Sequence, residues 1–234
     1  MISERLVTNR LAFATVSNSY SGTEALVSHG LSKSKALTIT NCFENISAAA
    51  EKQSTDEVRI ITVGRFVEAK DYETAIRAVA LASAKAKNLQ LVIVGYGELE
   101  DKVREWVKKY GVEQATSIYI NPPNIPELLS QADIYLSTSI FEGTSNSIME
   151  ALNADLPVVA TRVGDNDRLV EDGVNGILCD VGAYENIADA IVKLAENKDL
   201  RHAMGRESKK ILIRDYSVDS FRDKYEALIA KITG

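Results

Sequence analysis

Two glutamates flank a run of small polar residues: Glu142 stands just ahead of Gly143-Thr144-Ser145-Asn146, and Glu150 beyond it, with seven residues between the two. The run follows the apolar stretch Ile134-Tyr135-Leu136, which reads as a short buried strand, and a helix begins at about Ser147. A strand that stops, a glycine-containing loop and a helix start leave free backbone N–H groups and the positive end of a helix dipole in one gap, which suits a ligand. Gly143 lets the backbone approach that ligand closely. A carboxylate in the first helical turn, such as Glu150, can accept a hydrogen bond from each hydroxyl of a vicinal diol. Glu150 has a plainer alternative, because Ser147-x-x-Glu150 is a capping-box spacing that turns the carboxylate back to a backbone N–H. Glu142, on a loop, is ordinarily just solvated.

Cations occur upstream. Arg65 and Lys70 are predicted in the loop after the apolar run Val58–Val63, where fixed cationic donors can bind an anionic group without a metal. The plainer reading is two solvated cations, with Asp71 capping the next helix. Gly95-Tyr96-Gly97 follows a strand and precedes a helix, as a dinucleotide fingerprint would. Glu100 holds the third glycine position, and Glu98, Glu100 and Asp101 would repel a pyrophosphate. Gly95 and Gly97 therefore read as a close turn. Asp165-Asn166-Asp167 is an Asp-x-Asp triplet, but polar triplets in loops commonly make Asx-turns, so no metal site is assigned. His29 and His202 read as surface or cap residues, and no nucleophilic triad can be assembled.

The elements that must position these residues follow a regular alternation. Apolar strands are predicted at Val58–Val63, Leu89–Val94, Ser117–Ile120, Ile134–Leu136 and Val158–Ala160. Helices are predicted at Tyr72–Ala86, Leu99–Tyr110, Ile125–Gln131, Ser147–Asn153, Tyr184–Glu196, Leu200–Arg214 and Val218–Ile232. Short apolar strands alternating with helices predict an α/β fold, a Rossmann-like parallel sheet with helices on both faces. Such sheets bind ligands beyond the carboxyl ends of their strands. Ahead of this lies a smaller pattern: a strand near Phe13–Ser17, a helix from Gly22 to His29 and a strand at Ala36–Thr40, one βαβ unit joined by a polar linker at Gln53–Glu57.

The totals exclude several classes. A chain of 234 residues with net charge -6, both signs interspersed, is no nucleic-acid binder by its electrostatics. Cys42 and Cys179 have no metal spacing and suggest a reducing compartment. No apolar run approaches the ~20 residues that span a bilayer, and Met1-Ile-Ser-Glu-Arg5 lacks a signal-peptide core. The expectation is a soluble cytoplasmic protein.

Glu142-Gly143 and Glu150-Ala151, followed by Leu156-Pro157-Val158-Val159-Ala160-Thr161, resemble the Glu-x7-Glu signature of retaining glycosyltransferases of family four, which have the GT-B fold. Further segments are similar to that family: Thr62 to Asp71 with Gly64, Arg65 and Lys70, Val92 to Gly97, Val170 to Leu178, and Tyr216-Ser217 ahead of the last helix. Val16-Ser17 and Ile39-Thr40-Asn41 resemble the end of the family's N-terminal domain. The chain departs from the pattern at Asp155 and Asp165, where the family usually has glycine, and at Arg168, where it usually has glutamate.

The resemblance implies a nucleoside diphosphate sugar as donor substrate, no cofactor, and an acceptor, sugar or lipid-linked, from polysaccharide or glycolipid biosynthesis. Arg65 and Lys70 would stabilise the diphosphate and Glu150 would hold the ribose. Glu142 would hold and orient the sugar with the backbone of Gly143, Thr144, Ser145 and Asn146, and Gly64, Gly95 and Gly97 would line the site. The implied organisation is a remnant of an N-terminal acceptor domain at 1–53, a donor-binding domain at 54–215, and a helix at 216–234 crossing back. An incomplete N-terminal part carries an open sheet edge, so self-association or a mobile N-terminal segment is expected. A non-catalytic nucleotide-sugar binding or regulatory module is the alternative.

Overall fold

The computed structural model describes residues 11–44 and 55–233. In the first part, β1 (Thr15–Ser17), α1 (Tyr20–Ser28) and β2 (Ala36–Thr38) form the expected βαβ unit, with β1 and β2 paired in parallel. Ser19 starts α1 two residues earlier than predicted, because its side chain accepts from the Gly22 N–H at 3.1 Å. The segment Met1–Arg5 and the first half of the expected linker, residues 53 and 54, lie outside the described residues.

The second part runs β3 (Val58–Arg65), α2 (Tyr72–Lys85), β4 (Leu89–Tyr96), α3 (Glu100–Lys109), β5 (Thr116–Ile120), α4 (Ile125–Ser130) and β6 (Ile134–Ser137). It continues with α5 (Asn146–Asn153), β7 (Val158–Thr161), α6 (Asn166–Leu169), β8 (Gly176–Cys179), α7 (Tyr184–Glu196), α8 (Lys198–Tyr216) and α9 (Val218–Thr233). The strands form one six-stranded sheet in the order β5-β4-β3-β6-β7-β8, every neighbouring pair parallel.

Both faces of the sheet are covered, which is why its strands read as unbroken apolar runs. Ile60, Leu91, Ile93 and Leu136 share one core with Val79 of α2, Val103 of α3 and Ile191 of α7. Ile61, Val63, Val94 and Tyr135 point the other way, into a core with Ile148 and Leu152 of α5 and Leu212 of α8. Each such side chain, fully buried, contributes about 1.5–3 kcal/mol of transfer free energy. The helix α2 forms where predicted: Tyr72, Ala75, Ile76, Val79 and Ala82 fall on one buried stripe, and the Asp71 carboxylate accepts from the Thr74 N–H at 3.3 Å.

Several sequence expectations change. The strand β8 was not predicted, because only Ile177-Leu178-Cys179 carries its apolar signal; pairing with β7 supplies the rest. The Asp165-Asn166-Asp167 triplet opens the short helix α6 and is no Asx-turn loop. Arg65 is the last residue of β3, and not in the following loop, since β3 stays paired with β4 to the register Arg65–Tyr96. The N-cap of α5 is Ser145, so Ser147 lies inside the helix and Glu150 in its second turn; the capping box at Ser147 and Glu150 does not form.

The chain progresses outward from β3 through β4 to β5, then returns to place β6 on the other side of β3. Connections after β3 and β6 therefore leave in opposite directions and open a crevice at their carboxyl ends. At the junction of α8 and α9 the chain touches the N-terminal part again, where the Phe43 N–H donates to the Tyr216 carbonyl at 2.8 Å. No described helix is long and apolar enough to cross a membrane.

Candidate active site

Two loops make the crevice. After β3 the chain buries Phe66 completely, makes a single 3₁₀ turn at Glu68–Lys70 and enters α2 through Asp71, whose φ of 45° lies in the left-handed region. After β6 it runs through Thr138, Ser139 and Ile140 to Glu142. Backbone and side chain tie the loops together. The Ile140 N–H donates to the Ala69 carbonyl at 2.9 Å, and the Thr138 hydroxyl lies 2.8 Å from the Asp71 carbonyl and 3.1 Å from that of Lys70. This seam brings together residues that are 72 apart in sequence: the Lys70 ammonium donates to Glu142 Oε1, which also accepts from the Ser139 hydroxyl at 2.7 Å.

Glycines make room for this arrangement. A Cβ on Gly64 would lie 3.3 Å from both Lys70 Cε and the Tyr72 hydroxyl, so the bare backbone lets the lysine stem lie over the strand end. The Tyr72 hydroxyl donates to the Gly64 carbonyl at 2.8 Å, and burial drives its pKa far upward, keeping it a neutral donor. Gly95 and Gly97 abut Gly64 and Phe66, where a Cβ would fall 2.0 Å from the Gly64 carbonyl oxygen and 2.6 Å from that of Phe66. Their absence of side chains is demanded by packing between the β3 and β4 ends. Gly164, which sequence reading missed, has a φ of +53° and sits so close to Glu142 that a Cβ would come within 2.0 Å of its carbonyl oxygen.

Arg65 projects into solvent at the crevice, and its guanidinium has no hydrogen bond or ion pair among the described residues. Glu150 lies on the α5 side, half-buried, and desolvation holds its carboxyl above the ordinary range. Beneath it the Tyr135 hydroxyl donates to the Val63 carbonyl at 3.2 Å. Its pKa is raised by burial first, then by the charges of Glu150 and Glu142.

The N-terminal part supplies a wall that the sequence did not reveal. A Cβ on Gly143 would lie 3.3 Å from the Ser19 side chain. The Thr144 hydroxyl lies 3.0 Å from the Asn18 carbonyl, and the Asn41 amide donates to Asn146 Oδ1 at 2.8 Å. Ser145 is buried between them. Asp165, considered as a metal ligand from the sequence, has its oxygens engaged by the Tyr20 and Ser21 N–H groups and by Thr144. His29 bonds the Ala25 carbonyl through Nδ1 at 2.6 Å, a cap role, and His202 lines a separate groove with Asp155 and Arg201. A cleft of about 450 Å³ lies between Tyr20, Arg168, Arg214 and Lys224, and none of the assigned site residues lines it.

A doubly wound parallel sheet, with a cation–carboxylate pair and a polar helix-start loop at its switch point, defines an α/β ligand-binding domain. The chain belongs to the glycosyl transferases group 1 family, whose sequence profile matches residues 44–211. It is 28% identical over 171 residues to the lipopolysaccharide core biosynthesis glycosyltransferase LpsE of Rhizobium meliloti, covering 73% of this chain and 49% of that protein. It is 28% identical over 192 residues to the poly(ribitol-phosphate) alpha-N-acetylglucosaminyltransferase of Staphylococcus aureus, covering 80% of this chain and 38% of that one. Among solved structures, Anabaena HepE in complex with UDP superposes with a TM-score of 0.87 at 21% identity, over 97% of this chain and 66% of that one. The chain spans about half the length of the curated relatives it matches.

Proposed function

We propose that this chain is the donor-binding half of a retaining glycosyltransferase that moves a sugar from a nucleoside diphosphate sugar to an acceptor without a metal ion. The observation that carries the reading is the meeting of Lys70 and Glu142 across the β3–β6 crevice. One side of that pair suits a diphosphate and the other the hydroxyls of a sugar, so a molecule containing both spans it. In this reading Lys70 and Arg65 neutralise charge on the departing diphosphate. Glu142 and the amides of residues 143–146 orient the sugar, and Glu150 accepts from the ribose hydroxyls. Gly64, Gly95 and Gly97 shape the nucleotide side. The UDP in HepE and the lipopolysaccharide role of LpsE support a UDP-sugar and an acceptor, sugar or lipid-linked, from glycan biosynthesis.

The test is a thermal-shift panel of UDP-, GDP- and ADP-sugars, in which a selective ligand raises the melting temperature by mass action. A shift with one nucleotide series supports the reading, and no shift with any overturns it. Orienting an acceptor against the donor supplies a large share of such a barrier, and β1 and β2 are three residues long each. The 234-residue chain alone is therefore expected to bind donor without acceptor-dependent turnover. Acceptor-dependent release of UDP from the pure chain would contradict that expectation.

A further inference from the structure

Asp165 is 1% exposed, and a buried carboxylate is costly unless its oxygens are satisfied. Here they are satisfied from two parts of the chain distant in sequence. Oδ2 accepts from the Tyr20 N–H at 2.7 Å and Oδ1 from the Ser21 N–H at 2.8 Å, the first N–H groups of α1. Oδ2 also lies 2.8 Å from the Thr144 hydroxyl, in the loop between Glu142 and α5. That hydroxyl has one hydrogen and two acceptors in reach, Asp165 and the Asn18 carbonyl at 3.0 Å; the charged, nearer acceptor takes the larger share.

The contacts around this node point the same way. The Asp165 N–H donates to the Gly143 carbonyl at 3.4 Å, so backbone and side chain both hold the loop. Arg168, on the first turn beyond, places its guanidinium 3.9 Å from the centre of the Tyr20 ring. At the far end of the loop Asn41 holds Asn146. Loop 143–146 is thus fastened to the N-terminal part at both ends, and the Asp165 side chain is bonded to α1 and to that loop at once.

We propose that Asp165 is a positioning residue that couples loop 143–146 to helix α1, so that the placement of α1 sets the geometry of the amides facing the donor sugar. The coupling rests on the hydrogen bonds alone, whereas its effect on the sugar rests on the function proposed above. Asp165→Asn keeps the volume but offers one carbonyl oxygen to three donors and turns an NH₂ group toward the others. Thr144→Val removes the hydroxyl's contacts with Asp165 and with the Asn18 carbonyl, and leaves the Tyr20 and Ser21 N–H groups on Asp165.

Amide hydrogen exchange on the full chain tests the coupling directly. In Asp165→Asn, residues 19–23 and 143–147 should both exchange faster, by about tenfold or more, as expected for loss of a charged hydrogen bond. In Thr144→Val the acceleration should be confined to 143–147, and the double variant should loosen 19–23 no more than Asp165→Asn alone, because Thr144 bonds neither the Tyr20 nor the Ser21 N–H. If Asp165→Asn speeds exchange in 19–23 while 143–147 is unchanged, Asp165 merely caps α1 and the proposal fails. Should Asp165→Asn loosen the entire sheet, Thr144→Val decides: no change in 143–147 overturns the coupling. Calorimetry with UDP and UDP-glucose reads the consequence, an affinity for UDP-glucose lowered about tenfold while that for UDP is retained. Equal losses for both ligands would refute selective positioning of the sugar loop. A parent chain that binds neither ligand overturns the proposed function, while the exchange result still decides the coupling.

Discussion

The Lys70 ammonium and the Ser139 hydroxyl both donate to one oxygen of Glu142, joining the loops after β3 and β6 at the point where the sheet changes direction. Neither partner is in open water, with 21% of the lysine side chain and 11% of the glutamate side chain exposed. The pair is therefore screened less than a surface ion pair, and an anion entering the crevice competes with Glu142 for the ammonium.

Lys70→Ala and Arg65→Ala should each weaken binding of a nucleoside diphosphate by about 1.5–3 kcal/mol, the range for hydrogen bonds to charged groups. Binding of the nucleoside without phosphates should change little. Calorimetry with uridine and UDP checks this, and a Lys70→Ala chain that binds UDP like the parent rules out the phosphate role.

Glu150 should cost stability when ionised. Its carboxyl is held above the ordinary 4.5 by desolvation, so the folded state binds that proton more tightly than the unfolded chain. Stability from this group is then lost as pH rises from about 4.5 through the raised folded value. Glu150→Gln removes the dependence and should melt above the parent at neutral pH, the gap closing below about pH 4.5. Melting curves from pH 4 to 8 test the sign. The same variant should discriminate poorly between ribo- and deoxyribonucleoside diphosphates if Glu150 holds the ribose.

Gly164→Ala should damage the site from behind. Its Cβ would collide with the Glu142 carbonyl, and alanine at a φ of +53° adds roughly 1–2 kcal/mol of backbone cost. Urea unfolding should show that loss, and the UDP-sugar affinity should fall more than that for UDP. A variant with parental stability and affinity would show that the loop yields freely there.

Binding of the sugar donor should survive excess chelator if, as proposed, Lys70 and Arg65 provide the positive charge; the Asp165 oxygens are taken by hydrogen-bond donors. A strict requirement for magnesium or manganese in calorimetry would return Asp167 to consideration as a metal ligand.

Much of this architecture is legible in the residues alone. Strands buried on both faces must be apolar along their length, so β3, β4, β6 and β7 announce themselves, and Asp71 marks the start of α2 by its short acceptor side chain. The site loops follow, since an open parallel sheet places them beyond its strand ends. Tertiary structure decided what depends on partners far along the chain. β8 is a strand because β7 pairs with it, and Glu150 escapes the capping box because the chain enters α5 at Ser145. Asp165 joins Tyr20 across 145 positions, and Asn41 joins Asn146 across 105. Periodicity and capping act within one or two helical turns; a hydrogen bond between distant segments is set by how the layers pack, and no local pattern encodes it.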